Sequence, residues 1–180
     1  AAHETTQHRE ILLNIPQLPA EGIIYCPVEH DGCSQKSVEE AEVIQIHYQA
    51  LLGQQFRDAD GTVRLITESD ILVVAPYNVQ VNYLRSLLPD QARVGTVDKF
   101  QGQEAPVVLI SMVTSGAEYL PRNIEFLYSP NRLNVALSRA QCLAVVVFNP
   151  KLLEISCKTI EQMKLANTFC RLREYADMLT

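Results

Sequence analysis

The chain has 180 residues, 47% hydrophobic and 20% charged, with a net charge of −6 at neutral pH. This is the make-up of one globular domain, long enough for a single core and short for two. Its uninterrupted apolar runs fall well below the roughly 20 residues of a membrane span, and its acidity argues against indiscriminate binding of polyanions by the whole surface.

The N-terminus, Ala1-Ala2-His3-Glu4, has no Met and no basic stretch followed by an apolar one, so no signal peptide is visible. With Pro16, Pro19 and Gly22 and little periodicity, residues 1–21 are expected to be a lead-in from a missing N-terminal half. Residues 22–180 are expected to form a single domain. Gly22 to Val28 is a short apolar, β-branched run, read as the first strand, with Pro27 marking its end or an edge position. After a polar loop, Ser37-Val38-Glu39-Glu40 has the form of a capping box, with Glu40 expected to reach back to the Ser37 amide. Apolar positions at Val43, Ile44, Leu51 and Leu52 continue that helix, with His47 packed at its edge, and Gly53 ends it.

Asp58-Ala59-Asp60-Gly61 is a turn signal between Phe56 and Val63 and predicts a small hairpin. Asp70 to Ala75 is a fully apolar strand ended by Pro76-Tyr77-Asn78. Asn78 is placed to cap a helix over Val79–Leu88. Further strands are expected over Ala92–Val97, Val107–Met112 and Leu143–Phe148, and helices over Asn131–Ala140, Lys151–Ser156 and Thr159–Met178. Thr114–Pro130 is irregular and of a length usually kept for function. Continuous Val/Ile/Leu strands alternating with helices describe a parallel sheet covered on both faces, an α/β fold.

Five cysteines, Cys26, Cys33, Cys142, Cys157 and Cys170, show no paired spacing and make no zinc knuckle. They suit buried positions in a reducing compartment, so a cytoplasmic location is expected. Charge is uneven along the chain. Residues 1–84 carry four basic against twelve acidic side chains, residues 85–151 seven against five, and residues 152–180 four of each.

Chemistry concentrates between Val94 and Pro150. Thr96, Asp98, Lys99, Gln101, Gln103 and Glu104 crowd polar groups around Gly102, which permits a close turn. Such a loop is suited to contact a phosphate backbone through Thr96 and its amides, and a ribose hydroxyl through Glu104. It is equally suited to be a polar turn between buried strands. Arg132 and Arg139, seven residues apart on an expected helix, share one face. Two guanidiniums there fit a multiply charged phosphate, or else are two solvated surface arginines. No metal-ligand constellation stands out. His30-Asp31 near Cys33 is a weak catalytic signal, and Ser111, Ser115 and Ser138 lack a nucleophile-elbow context with a downstream His. Neither G-x-x-x-x-G-K-[ST] nor G-x-G-x-x-G occurs.

Three segments resemble a known family in order and spacing. Val74-Ala75-Pro76-Tyr77-Asn78-Val79-Gln80 resembles motif IV of superfamily 1 helicases. Gly95-Thr96-Val97-Asp98-Lys99-Phe100-Gln101-Gly102-Gln103-Glu104 resembles motif V, and Asn131-Arg132-Leu133-Asn134-Val135-Ala136-Leu137-Ser138-Arg139-Ala140 resembles motif VI. The resemblance covers about residues 70–150. It is to the C-terminal RecA-like domain of the group holding the nonsense-decay helicase and the Okazaki-fragment nuclease-helicase, some of whose bacterial relatives are fused to a RecB-like nuclease.

The resemblance implies a RecA-like, P-loop-NTPase-type sheet without its own Walker A. It implies a partner, the N-terminal RecA-like half of the same parent chain, and ATP with Mg2+ as the ligand held between the halves. Arg139 would be the arginine finger, with Arg132 and Gln101 lining or supporting the cleft. Gly102 and Glu104 would lie on its nucleotide side, Glu104 near the ribose. Pro76, Tyr77 and Thr96, with Asn78, Gln80 and Asp98, would face single-stranded DNA or RNA, Asn78 and Gln80 serving alternatively to cap and brace the helix. Lys99 is assigned no role. The expectation is the second motor domain of a helicase or translocase, inactive alone and enzymatic only in the parent. The alternative is a non-catalytic interaction module of the same fold. Any nuclease would belong to another domain.

Overall fold

Apolar runs too continuous to leave a face for water dictate the centre of the molecule. The computed structural model describes residues 9–12, 18–116 and 130–154, together with Tyr119, Met163, Asn167 and residues 170–174. In chain order the elements are β1 (Glu10–Leu12), β2 (Gly22–Pro27), α1 (Val38–Leu51), β3 (Gln55–Arg57), β4 (Val63–Leu65), β5 (Ile71–Val74), α2 (Asn78–Leu87), β6 (Arg93–Gly95), β7 (Ala105–Ser111), α3 (Pro130–Leu137) and β8 (Ala140–Phe148), with 3-10 turns at Glu68–Asp70, Val97–Phe100 and Pro150–Leu153.

β2, β8, β7, β5 and β6 form a parallel sheet in that order. Every residue of β5 and β7 is buried, as expected of strands covered on both faces. Side chains alternate between two cores. On one face Val73, Leu109, Val145 and Val147 pack with Ile44, Tyr48 and Leu51 of α1 and Val81 and Leu84 of α2. On the other, Leu72, Val74, Ile110, Val146 and Phe148 pack with Val97 and Phe100 and with Leu133 and Ala136 of α3. Each Val, Leu, Ile or Phe among them contributes about 1.5–3 kcal/mol by leaving water. This is a RecA-like α/β fold.

α1 starts where the sequence places it, because the Ser37 hydroxyl accepts from the Glu40 amide at 3.1 Å. The other half of the capping box is absent. The Ser37 N–H donates to Gln80 Oε1 at 3.0 Å, while the Glu40 carboxylate turns into the interior. Asn78 likewise does not cap α2. It is the first helical residue, the N-cap position falls on Tyr77, and no side-chain cap bond forms there.

The hairpin read from Asp58–Gly61 is present as β3 and β4, paired Gln55↔Leu65 and Arg57↔Val63, with Gly61 at φ 84°. It is extended by a strand missed in the lead-in: Glu10–Leu12 pairs antiparallel with β3, and Ile11, opposite Phe56, is fully buried. The alternation of apolar residues there is too short to register as a period. Residues 1–8 and 13–17 lie outside the described residues.

Three further boundaries move. β6 spans Arg93–Gly95 because the chain tightens into a 3-10 turn at Val97. A 3-10 turn at Pro150–Leu153 stands at the start of the helix expected over Lys151–Ser156, of which Ile155 and Ser156 lie outside the described residues. β8 begins at Ala140, so α3 ends at Leu137. Of the helix expected over Thr159–Met178, Met163, Asn167 and residues 170–174 are helical and the remainder lies outside the described residues. Among the described residues no helix is long and apolar enough to cross a membrane, and no group of three His, Cys, Asp or Glu is placed to hold a metal ion. Cys26, Cys33, Cys142 and Cys170 are free thiols, and burial pushes that of Cys142 up to about 12.

The hairpin is tied to the sheet by one buried carboxylate. Asp70 receives both ends of the Arg64 guanidinium, at 2.7 and 2.8 Å, and the Thr67 amide and hydroxyl, each at 2.8 Å. Burial by itself raises its pKa, but the Arg64 and Thr67 donors outweigh it and hold the carboxyl below its usual range. A depressed folded-state value contributes stability above the unfolded value of about 3.9 that is lost as pH falls toward the folded one. Asp70→Asn is therefore expected to cost about 1–3 kcal/mol at neutral pH and to flatten the acid loss of stability below about pH 4. Urea unfolding of both proteins at pH 7 and pH 3 checks this, and equal steepness in the two would count against it.

Candidate functional site

Sheet register joins the two polar clusters. The Ala105 amide donates to the Arg139 carbonyl at 3.0 Å, and Ala105 pairs with Ala140. The turn at Val97–Phe100 and α3 then lie side by side, enclosing a cavity of about 250 Å³ lined by Val97, Asp98, Gln101, Arg132, Val135 and Arg139. Arg139 sits in the turn after α3 and not on the helix as its spacing suggested, yet it faces the same cavity as Arg132. Its Nε is buried with no hydrogen-bond partner among the described residues. Arg132 Nη1 lies 3.6 Å from Asp98 Oδ2, so Asp98, expected to face a nucleic acid, also lines this cavity with Arg132.

Two expected members of the cleft are placed elsewhere. Gly102 makes the turn, at φ 76°, but does not line the cavity. Glu104 stands exposed just before β7, where Oε2 accepts from Gln141 Nε2 at 3.3 Å. The strand leaving the turn carries its carboxylate away from the arginines.

A second surface forms where β5 and β6 end together. The Ala75 amide donates to the Gly95 carbonyl at 3.2 Å, which sets Pro76 and Tyr77 beside Thr96. All three are half-buried and Asn78 is exposed next to them. Gln80 does not belong to this surface. It is fully buried, donating to the Ser37 carbonyl at 2.9 Å and to Ser111 Oγ at 3.2 Å, so it braces α2 against α1.

The interior holds a polar network that sequence reasoning did not find. His30 Nε2 lies 2.8 Å from Glu40 Oε1, and His30 Nδ1 lies 2.7 Å from Ser115 Oγ. Glu40 Oε2 accepts from Ser111 Oγ at 2.7 Å and from the Val113 amide at 2.8 Å. Ser115 Oγ also accepts from the Cys33 amide at 2.9 Å. With Nε2 carrying the proton and Nδ1 accepting from Ser115, every donor in the set has an acceptor. Ser115, His30 and Glu40 stand in the order of a nucleophile triad, but Ser115 is fully buried. Its oxygen also accepts a backbone hydrogen bond, and the hydroxyl presents no surface to solvent. The group is structural. The capping-box glutamate and the buried serines were the available signals, and none of them names its partner.

The sheet, its flanking helices and the paired arginines define a RecA-like domain with a cavity beside the sheet that two guanidiniums line. A family model described as an AAA domain matches residues 25–151, and the chain belongs to that family. It is 41% identical over 130 residues to "Putative helicase MOV-10" of Gallus gallus, covering 63% of this chain and 13% of the relative. It is 33% identical over 156 residues to "RNA helicase Mov10l1" of Homo sapiens, covering 79% and 12%. It is 37% identical over 94 residues to "DNA polymerase alpha-associated DNA helicase A" of Saccharomyces cerevisiae (strain ATCC 204508 / S288c), covering 49% and 13%. The chain thus spans a small part of each relative, and these relatives are superfamily 1 helicases.

Glu40→Ala leaves the His30, Ser111 and Val113 donors facing a dry hole. It is expected to cost about 3–5 kcal/mol, the range for breaking a buried charge network. Ser115→Ala, which leaves the carboxylate's donors in place, is expected to cost about 1–3 kcal/mol. Chemical-denaturation midpoints of the two variants check the ranking, and a reversed order would remove Glu40 from the centre of the network.

Proposed function

We propose that the chain is the second motor domain of an ATP-dependent superfamily 1 helicase or translocase acting on single-stranded DNA or RNA, and that it is inactive alone. The observation that carries this reading is the pair of guanidiniums on one open cavity, with Arg139 Nε buried and without a hydrogen-bond partner among the described residues. A buried donor without an acceptor is costly, and an anion seated against it removes that cost. At about 250 Å³ the cavity is smaller than an ordinary small-molecule site of about 300–1,000 Å³. That suits a group of phosphate size whose remainder is held elsewhere. The absence of a Walker A sequence points the same way, since this chain has no glycine loop to cradle phosphates.

In this reading the nucleotide, with Mg2+, is held by an N-terminal RecA-like half of the parent and supplies the phosphoryl group for hydrolysis. Arg139 places positive charge where negative charge gathers during transfer, the role of an arginine finger. Asp98 holds Arg132 at the cavity wall and Gln101 adds an amide at its rim. Pro76, Tyr77 and Thr96 contact the strand through backbone and packing surfaces, where single-strand recognition is tolerant of sequence. Closure of the two halves on the nucleotide, and reopening after hydrolysis, shift that grip. A RecB-like nuclease, where the parent has one, is a separate domain.

In the full-length parent, Arg139→Ala is expected to lower strand-stimulated ATP hydrolysis by about 10³-fold or more while leaving strand affinity without nucleotide nearly unchanged. Steady-state turnover and fluorescence anisotropy measure the two, and unaltered turnover refutes the finger. The 180-residue chain alone is expected to release no phosphate from ATP, with or without oligonucleotide. Strand-stimulated release by the purified chain would overturn the half-site reading.

A further inference from the structure

The free edge of the sheet carries a cluster of cations that the arginine cavity does not use. Among the described residues β6 is the last strand of the sheet, bonded to β5 on one side only. The Gly95 carbonyl accepts from Ala75, so the Val94 carbonyl one residue earlier points the other way, to the open edge. Two cations converge on that single oxygen: Arg85 Nη2 at 2.9 Å and Lys99 Nζ at 3.0 Å. Arg93 adjoins them. Its guanidinium carbon and Lys99 Nζ lie 6.0 and 5.7 Å from the centre of the Phe100 ring, and its nitrogens bond the Ser69 carbonyl and Gln103 Oε1.

Like charges gathered in this way need a reason. Among the described residues the carboxylate pairs engage Arg9, His30, Arg57, Arg64, Arg132 and Lys151, and none of the three edge cations. In a chain of net charge −6, with twelve acidic side chains before residue 85, three basic groups have thus been kept clear of carboxylates. Burial first, and then the neighbouring Arg85, push the Lys99 ammonium below its usual range. The arrangement is built in by the backbone. A methyl group on Gly95 would come 2.5 Å from Lys99 Cδ, so glycine there lets the lysine fold back across the strand. Capping the edge occupies only one of five guanidinium donors of Arg85 and one of three ammonium donors of Lys99. Both side chains belong to exposed residues, leaving their other donors in water.

We propose that Arg85, Lys99 and Arg93 form a phosphate-binding edge that takes the backbone of a single-stranded nucleic acid running past Thr96. This rests on the strand-contact reading above and extends it along β6 to residues to which that reading gives no role. Phosphate contacts of this kind set affinity and salt dependence and carry no sequence information. A nucleic acid is favoured over an acidic protein because Pro76, Tyr77 and Thr96, the surface expected to hold bases and sugars, adjoin the same strand end.

The experiment compares the 180-residue chain with its Arg85→Gln/Lys99→Gln variant, which loses both charges while keeping amide donors for the Val94 carbonyl. Binding of a fluorescein-labelled oligo(dT) is followed by anisotropy across a salt series, with circular dichroism as the control for folding. The expected result is a salt slope smaller by about 1.4, at about 0.7 for each phosphate of a single strand that is no longer neutralised, and roughly tenfold weaker binding at the lowest salt. The charge-keeping variant Arg85→Lys/Lys99→Arg is expected to restore the slope. A wild-type slope in the folded glutamine variant overturns the proposal alone and leaves these residues as a cap on the sheet edge. No binding by the unmutated chain overturns the strand-contact reading as well. Displacement of the oligonucleotide by polyglutamate as readily as by unlabelled strand overturns the assignment to nucleic acid.

Discussion

The carboxylate of Glu40, withdrawn completely from water, forces the chain around it to supply donors from three directions. An ion of this kind costs several kcal/mol to bury, and the cost is met only when its lone pairs are filled. Here His30 comes from the loop after β2, and Ser111 and the Val113 amide from the end of β7, while Glu40 itself opens α1. The carboxylate therefore fixes how the first helix meets two strand ends of the sheet. Val113 takes φ 72°, a conformation that a β-branched residue adopts at real cost, and its amide is one of the donors. The strain and the ion hold each other in place.

The arginine cavity depends on that frame through the sheet. β7 and β8 keep one register from Val107↔Leu143 to Ser111↔Val147, interrupted only between Ala105 and Val107, where Pro106 has no amide to contribute. Because Ala105 pairs with Ala140, the residues just before each, Glu104 and Arg139, are carried to the same end of neighbouring strands. Their side chains then diverge. Arg139 turns under α3 to the cavity, while Glu104 stays in solvent with Gln141. A site of two guanidiniums results from strand register more than from helix periodicity.

The two segments that resemble motifs V and VI line one cavity, and the family match spans both. What shifted was the side of the molecule each residue serves. Asp98, expected on the strand-facing surface, pairs with Arg132. Gln80, one of the same group, is an interior brace. Lys99, left without a role, folds across Gly95 to join Arg85. Adjacent residues of a tight 3-10 turn point in different directions, so Asp98 and Lys99 look onto different surfaces although one peptide bond separates them.

The sequence by itself determined the five strands of the sheet, the start of α1 at Ser37 and the hairpin at Asp58–Gly61. These follow from apolar periodicity, a cap and a turn, which are properties of a few consecutive residues. It did not determine the short strand Glu10–Leu12, the partners of Glu40, or which way Gln80, Asp98 and Glu104 would turn. Those contacts join residues 71 and 73 positions apart in the case of Glu40 with Ser111 and Val113, and 43 apart for Gln80 with Ser37. A polar side chain acquires its meaning from the donor that arrives beside it. Only the closing of the sheet, with helices laid on both faces, brought those donors within reach.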